Sequence, residues 1–286
     1  MKLGVVFPQT ETNADPDAIR AFTEAVEAAG YDHLAAYDHV LGANPERPGG
    51  WTGPYTHRDP FHEPMVLFGF MAAWTGRIEL VTEILILPQR QAALVAKQAA
   101  EIDLLSRGRL RLGVGLGWNA VEYEALGLSF KDRGRRIEEQ IDLMRRLWRE
   151  PLLTFEGRWH TVADAGLNPL PEREIPIWMG GSAEPALRRA AAIADGWMVN
   201  APIDRATAAL EQMRGYLEEA GRDPDDFGID ARVSLGKGVE VAVEQGRRWR
   251  ELGISHLTVN PLGAGLGWPW GHVDAIRRFK AAWDGG

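Results

Sequence analysis

The chain has 286 residues, 45% hydrophobic and 25% charged, with 32 Lys plus Arg against 40 Asp plus Glu, a net charge of −8. That composition excludes a disordered chain, and the acidic excess argues against a nucleic-acid partner, which needs clustered Lys and Arg. No cysteine is present, which excludes disulfides, zinc–thiolate sites, iron–sulfur clusters and cysteine nucleophiles.

Leu3–Phe7 reads as a strand stopped by Pro8, too short an apolar run for a signal-peptide core. No stretch of about 18 apolar residues marks a membrane span. A cytoplasmic protein with no membrane partner is expected. Pro16–Ala29 reads as a helix, with Asp15 as N-cap, Pro16 in its first turn and Gly30 past its end. Its Ile19, Phe22, Val26 and Ala29 recur at helical spacing. His33–Ala36 is a short strand, followed over 41–61 by a loop rich in Gly, Pro and aromatics. Met65–Trp74 is helical, and Ile78–Leu87 is the most apolar strand, ended by Pro88. Ala92–Leu105 is an Ala-rich helix ended by Ser106-Arg107-Gly108. Leu110–Val114 is a strand running into Gly115-Leu116-Gly117-Trp118-Asn119, and Asp132–Trp148 is an amphipathic helix closed by Pro151.

After an extended excursion over Phe155–Val162, the rhythm repeats. Strands at Ile177–Met179, Trp197–Asn200, Ile229–Ser234 and His256–Asn260 alternate with helices at Glu184–Ala194, Thr207–Ala220, Val241–Leu252 and Asp274–Trp283. Strands joined by helices run parallel with right-handed crossovers. Eight such units fit one α/β domain over residues 1–286. The expected architecture is a (β/α)8 TIM barrel with an extended loop after its second strand and an excursion between its fourth and fifth. An open doubly wound sheet is the alternative.

In such a barrel, chemistry sits at the C-terminal ends of the strands. That rule selects Pro8 and Gln9, then Tyr37, Asp38 and His39, then Thr82, Glu83 and Ile84. It also selects Gly115, Gly117, Trp118 and Asn119, then Gly180, Gly181 and Ser182, Asn200 and Pro202, and finally Asn260 with the 263–270 loop. Asp38-His39 is an adjacent carboxylate–imidazole pair at a strand end. His39 suits proton exchange or carbonyl polarisation near neutral pH; the alternative is a capping Asp beside a packed His. Glu83 interrupts an apolar strand, either ion-paired to Arg90 or Arg111 or marking a distorted strand end. Gly113 to Gly117 is a weak dinucleotide-like run that also reads as a tight loop. Gly180-Gly181-Ser182 opens a helix and suits a phosphate.

Trp is abundant, 11 residues against 5 Tyr. Trp74 and Trp197 read as packing; Trp51, Trp118, Trp268 and Trp270 are candidates for an aromatic pocket wall. His57 and His62 with Asp59 and Glu63 fit no familiar metal-ligand spacing, so no metal is assigned.

Together, several segments resemble the luciferase-like flavin/deazaflavin superfamily. They are Ile84-Leu85-Ile86-Leu87-Pro88-Gln89-Arg90, Leu94-Val95-Ala96-Lys97-Gln98, the run from Leu104 to Asn119, Tyr123 to Gly127, Pro176 to Gly181 and Asp195-Gly196-Trp197. The branch most similar is that of probable oxidoreductases dependent on coenzyme F420, a deazaflavin. The resemblance implies that Asp38 and His39 lie near the reactive face of the cofactor ring and that His39 handles a proton. It implies that Thr82, Glu83 and Ile84 form a bulge behind the ring, with a non-proline cis peptide at Glu83–Ile84. It also implies that Gly115, Gly117, Trp118 and Asn119 line the ring and side-chain channel. Gly180, Gly181 and Ser182 would hold the phosphate, with Met179 beside them in the cofactor-binding set. Sugar-phosphate dehydrogenases of the superfamily carry a catalytic Glu soon after the fourth-strand glycines. The matching position here is Trp118, which implies a more apolar, aromatic or unsaturated small-molecule substrate. The expectation is hydride transfer with coenzyme F420. An FMN-dependent monooxygenase activating O2 is the first alternative. The second is a non-catalytic flavin-binding or cofactor-free barrel, whose sign would be a pocket blocked, for example, by Trp118 or Trp268. A homodimer is expected because relatives commonly form one.

Overall fold

The computed structural model describes residues 1–285. Its first half contains β1 (Lys2–Val6), α1 (Pro16–Ala28), β2 (His33–Ala36), α2 (Pro64–Ala72), β3 (Glu79–Thr82), β4 (Leu85–Ile86), α3 (Ala92–Leu105), β5 (Leu110–Gly115), α4 (Ala120–Ala125) and α5 (Arg133–Arg149). An antiparallel hairpin of β6 (Leu153–Glu156) and β7 (Thr161–Ala165) follows. Then come β8 (Ile177–Gly180), α6 (Glu184–Ile193), β9 (Gly196–Met198), α7 (Ala206–Glu219), β10 (Gly228–Ser234), α8 (Val239–Glu251), β11 (His256–Asn260) and α9 (Trp270–Asp284).

The parallel ladder runs β3-β2-β1-β11-β10-β9-β8-β5, and β3 pairs back onto β5. That last pairing closes the ring, so the chain forms a (β/α)8 barrel and the open sheet is overturned. Closure leaves no free edge and places all strand C-termini on one rim.

Local chemistry explains the elements. Asp15 accepts the Asp17 N–H at 3.0 Å and caps α1, whose Ile19, Phe22 and Val26 are buried. The expected third strand, Ile78–Leu87, is instead split into β3 and β4. Glu83 leaves the ladder to β5 and its N–H turns to Ala36 O at 2.8 Å, before Leu85 rejoins β5 opposite Val114. The excursion is longer than Phe155–Val162, because Leu153 and Phe155 bury while Thr154 and Glu156 face out. The last helix begins at Trp270 rather than Asp274, with the Val273 N–H bonded to Pro269 O at 3.0 Å.

Two cores result. A large apolar cluster, including Phe22, Phe68, Leu80, Leu112, Trp197 and Phe279, fills the space between strands and helices. Inside the barrel, Ala35, Val81, Trp178 and Met198 pack with Ile84. Toward the N-terminal ends of the strands the interior is ionic. Arg111 meets Glu79 at 2.9 Å and Asp230 at 3.3 Å, and Thr258 donates to Asp230 at 2.9 Å. Buried charges persist when paired and hydrogen-bonded in this way. Among the described residues, no helix is long and apolar enough to cross a membrane.

Candidate active site

A cavity of about 1060 Å³ opens at the rim formed by the C-terminal ends of the strands. Its wall takes Asp38 and His39 from beyond β2, Glu83 and Ile84 from the break between β3 and β4, and Gly115, Gly117 and Trp118 from the end of β5. Gly180, Gly181 and Ser182 at the end of β8 also line it. Most residues selected from the sequence therefore converge on one cleft.

The Glu83–Ile84 peptide is cis, as the resemblance implied. Ile84 lies over glycines. A Cβ on Gly115 would meet Ile84 Cδ1 at 2.4 Å, and one on Gly180 would meet Ile84 Cγ2 at 3.0 Å. Side chains at those positions would crowd the Ile84 side chain against the cleft. Glycines here let the floor lie flat.

His39 is paired, but not with its neighbour Asp38. Its Nδ1 lies 3.2 Å from Glu122 Oε1, contributed by α4. The same oxygen accepts the Val40 and Leu41 N–H groups at 3.0 and 3.3 Å, and Gln89 Nε2 donates to Oε2 at 3.2 Å. Glu122 is fully buried. Burial alone would raise its carboxyl, but the bonds from His39, Gln89 and Leu41 outweigh it and hold it below the ordinary range. An ionised carboxylate only accepts, so Nδ1 must carry the proton facing it. Nε2 has no hydrogen-bond partner among the described residues and is the nitrogen left for proton exchange. Around the imidazole stand Phe61, Tyr55 and Trp118, with ring centroids at 4.8, 5.0 and 5.5 Å.

Asp38 lines the cleft and is also tied into the scaffold. It is buried, accepts the Ile86 N–H at 2.9 Å and pairs with Arg90 Nη2 at 2.7 Å. It ties the end of β2 to β4 and so holds the bulge. Arg90 reaches on to Glu63 at 2.8 Å. Glu83 therefore pairs with neither Arg90 nor Arg111. Its carboxylate faces Arg232 on β10, at 3.4 Å. Burial pushes the Glu83 carboxyl up to about 7, against the pull of Arg232.

Pro8, Gln9 and the 263–270 loop do not line the cleft, and three residues expected to bind the cofactor also stand off its wall. Thr82 is buried behind the bulge and donates to Gly113 O at 2.6 Å. Asn119 is buried and caps α4 by accepting the Val121 N–H at 3.0 Å. Met179 packs in the apolar cluster outside the barrel strands, because alternate residues of β8 face opposite sides. The tryptophans also divide. Trp118 is 44% exposed at the wall, with Trp51 against it at 5.6 Å. Trp268 packs on Phe7 and Phe22, and Trp270 is exposed at the start of α9, so neither forms a pocket wall. Trp197 is fully buried and donates to Gly181 O, and Trp74 carries Arg20 over its ring. The blocked ring site is not found: the cleft is open beside Trp118 and clear of Trp268.

Sequence reasoning passed over Glu122 and Arg232. Glu122 stands just before the quoted run from Tyr123 to Gly127, with no local mark of its partner. Arg232 did carry a signal: in Ile229–Ser234 the charges at Asp230 and Arg232 alternate with apolar residues, and that period of two points both inward.

Comparison with known proteins agrees with this architecture. The chain belongs to the luciferase-like monooxygenase family, whose profile matches residues 1–265. It is 35% identical to an uncharacterised protein of Mycobacterium tuberculosis over 226 residues, 76% of this chain and 77% of the relative. It is 30% identical over 250 residues to the F420-dependent glucose-6-phosphate dehydrogenase of Nakamurella multipartita, covering 84% of this chain and 70% of that protein. Among solved structures, an F420-dependent secondary alcohol dehydrogenase in complex with an F420-acetone adduct superposes with a TM-score of 0.81. It shares 19% identity and the match covers 99% of this chain and 98% of that one, a likeness of fold.

Proposed function

We propose that this chain is an oxidoreductase that uses coenzyme F420 to move a hydride to or from a small, largely apolar or unsaturated organic substrate. The observation that carries the reading is the flat floor of Ile84 over Gly115 and Gly180, set beside an imidazole whose Nδ1 is held by buried Glu122. A planar ring system suits that floor. Ile84, Gly115 and Gly117 would hold the ring, and Gly180, Gly181 and Ser182 the phosphate-bearing chain. Relatives named as F420-dependent enzymes support this cofactor over others.

When bound, coenzyme F420 supplies the hydride donor or acceptor. The residues of the chain do the rest. Asp38 and Arg90 fix the bulge. Glu122 keeps the His39 proton on Nδ1, so Nε2 takes a proton from the substrate in oxidation and, as the imidazolium, gives one to its oxygen in reduction. Tyr55, Phe61 and Trp118 exclude water around that nitrogen. Trp118 takes the place of the carboxylate used by the sugar-phosphate branch, which supports an apolar substrate over a sugar phosphate.

Binding titrations with F420, FMN and FAD test the reading. Micromolar binding of F420 is expected. Binding of FMN without F420 would overturn it and favour the O2-activating monooxygenase chemistry for which the family is named.

A further inference from the structure

Among the described residues, the cleft wall carries a single lysine or arginine, Arg232. Its contacts are loose. Nε lies 3.4 Å from Glu83 Oε1, Nη1 lies 3.2 Å from the Tyr37 hydroxyl, and Nη2 lies 3.4 Å from Asn200 Oδ1. Charge-assisted bonds normally run at about 2.7–2.9 Å, and Arg90 shows that length to two carboxylates, 2.7 Å to Asp38 and 2.8 Å to Glu63. The Arg232 side chain is 30% exposed, while that of Glu83 is 6% exposed. Glu83 Oε2 is buried with no hydrogen-bond partner among the described residues. The cleft thus presents a cation with unspent donors beside a carboxyl that is itself half-satisfied.

We propose that Arg232 and Glu83 form a subsite for one carboxylate group of the substrate, the guanidinium taking the incoming carboxylate as Glu83 loosens from it. Calling the ligand a substrate rests on the oxidoreductase reading above; the subsite itself does not. The planar fork of a guanidinium matches a carboxylate in two parallel hydrogen bonds. Charge selects a monoanion. One cation beside one carboxyl gives a local charge near zero, which a dianionic phosphate meets as repulsion from Glu83. A protonated Glu83 leaves one net positive charge, which one carboxylate neutralises.

The surroundings make Glu83 the group that titrates. Four side chains bear on it: Arg232 and Asp230 from β10, Arg111 from β5, and Tyr37 directly after β2. Arg232 and Arg111 are permanent cations. Burial would raise Asp230, but its bond to His33 and the nearby charges hold it far below the ordinary range, so it stays anionic. Burial pushes the Tyr37 phenol up, so it stays neutral. Burial brings Glu83 to about 7. A carboxylate docking on Arg232 removes part of the compensation of Glu83 and adds a negative neighbour, and both favour its protonated form. Above neutral pH, ligand binding therefore takes up a proton from solvent. Tyr55, Leu116, Leu262 and Val233 line the remaining wall, which suits a compact apolar body behind the carboxylate.

The test is calorimetric titration of the full chain with benzoate, its neutral analogue benzamide, and inorganic phosphate. Titrations run at pH 6 to 8 in buffers of different ionisation enthalpy. Benzoate is expected to bind on the order of tenfold more tightly than benzamide, as a charge-assisted bond contributes, and more tightly than phosphate, with proton uptake at pH 7.5. Arg232→Met should abolish the preference for benzoate while leaving benzamide unchanged. Glu83→Gln should retain benzoate binding and lose the proton uptake. If Arg232→Met does not fold, the double variant Arg232→Met/Glu83→Gln removes both charges together and must show the same loss of preference. Equal affinity for benzoate and benzamide, tighter binding of phosphate, absent benzoate binding, or no proton uptake would each overturn the subsite. Repeating the benzoate titration with saturating F420 separates the two readings. Affinity within about threefold supports a substrate subsite, because the ligands then occupy separate places. Exclusion by F420 overturns the substrate assignment, and failure of F420 itself to bind overturns the cofactor reading alone.

Discussion

Glu122 Oε1 lies 3.2 Å from His39 Nδ1, although 83 residues separate the two in sequence. The contact orients the imidazole and fixes its tautomer, because the buried carboxylate accepts and cannot donate. Nitrogen-15 NMR of the histidine ring should show the Nδ1–H form in the wild-type protein. In Glu122→Gln the amide can present its NH2 to Nδ1, and the Nε2–H form should grow. An unchanged tautomer in the variant would remove Glu122 from the positioning role. His39→Ala should lower turnover by about 10²-fold or more, the usual reach of general acid–base catalysis, with an unchanged circular dichroism spectrum.

The Asp38–Arg90 pair should govern stability as well as the site. Asp38 is 1% exposed at its side chain, and removing it leaves the Arg90 guanidinium, 14% exposed, with Glu63 as its remaining carboxylate. Breaking one partner of a buried pair costs about 3–5 kcal/mol. Asp38→Ala should lose that much in urea unfolding, whereas Asp38→Asn/Arg90→Met, which removes both charges, should lose less. An equal loss in both would mean that the charge pairing does not matter there.

Stability should also report Glu83. Its carboxyl rises in the folded state from an ordinary 4.5 to about 7. Between those values the folded chain holds more protons than the unfolded chain, so this group lowers stability as pH climbs through that window. Glu83→Gln cannot titrate. Its unfolding free energy should therefore gain on the wild type from pH 5 to pH 8, by up to about 3 kcal/mol. Loss of the Arg232 partner shifts the whole curve, so the slope of the difference is the measurement. A flat difference would show that Glu83 is ionised throughout.

Gly115→Ala tests the floor of the cleft. The added Cβ meets Ile84 Cδ1 at 2.4 Å and forces the Ile84 side chain to move. Binding of F420, followed by fluorescence, should weaken on the order of tenfold or more, the scale of a modest steric penalty, while the barrel still folds. Wild-type affinity in this variant would mean that the cofactor does not rest on Ile84.

Much of this protein was legible in order along the chain. Ala92–Leu105 and His256–Asn260 were read to the residue, because helical spacing and a short β-rich run ended by Pro261 are local signals. Strand-end placement alone collected His39, Glu83, Ile84, Gly115 and Gly180, since a barrel delivers every strand terminus to one rim. The failures share a cause. Asp38 and His39 looked like a pair because they are adjacent, yet adjacent residues at a strand end point in different directions. Met179 was grouped with Gly180, but the alternation of β8 turns it away from the cleft.

By itself, then, the sequence determined most of the strands and helices, that they alternate, and which strand ends meet at the rim, since those follow from periodicity and breakers along the chain. The partners of the charges were decided by tertiary structure alone. Glu122 with His39, Arg90 with Asp38 and Arg232 with Glu83 are each joined by barrel closure and loop packing across long separations. The balance of burial against hydrogen bonds, which holds Glu122 ionised and lets burial lift Glu83 toward neutral pH, exists only once the barrel has closed around them.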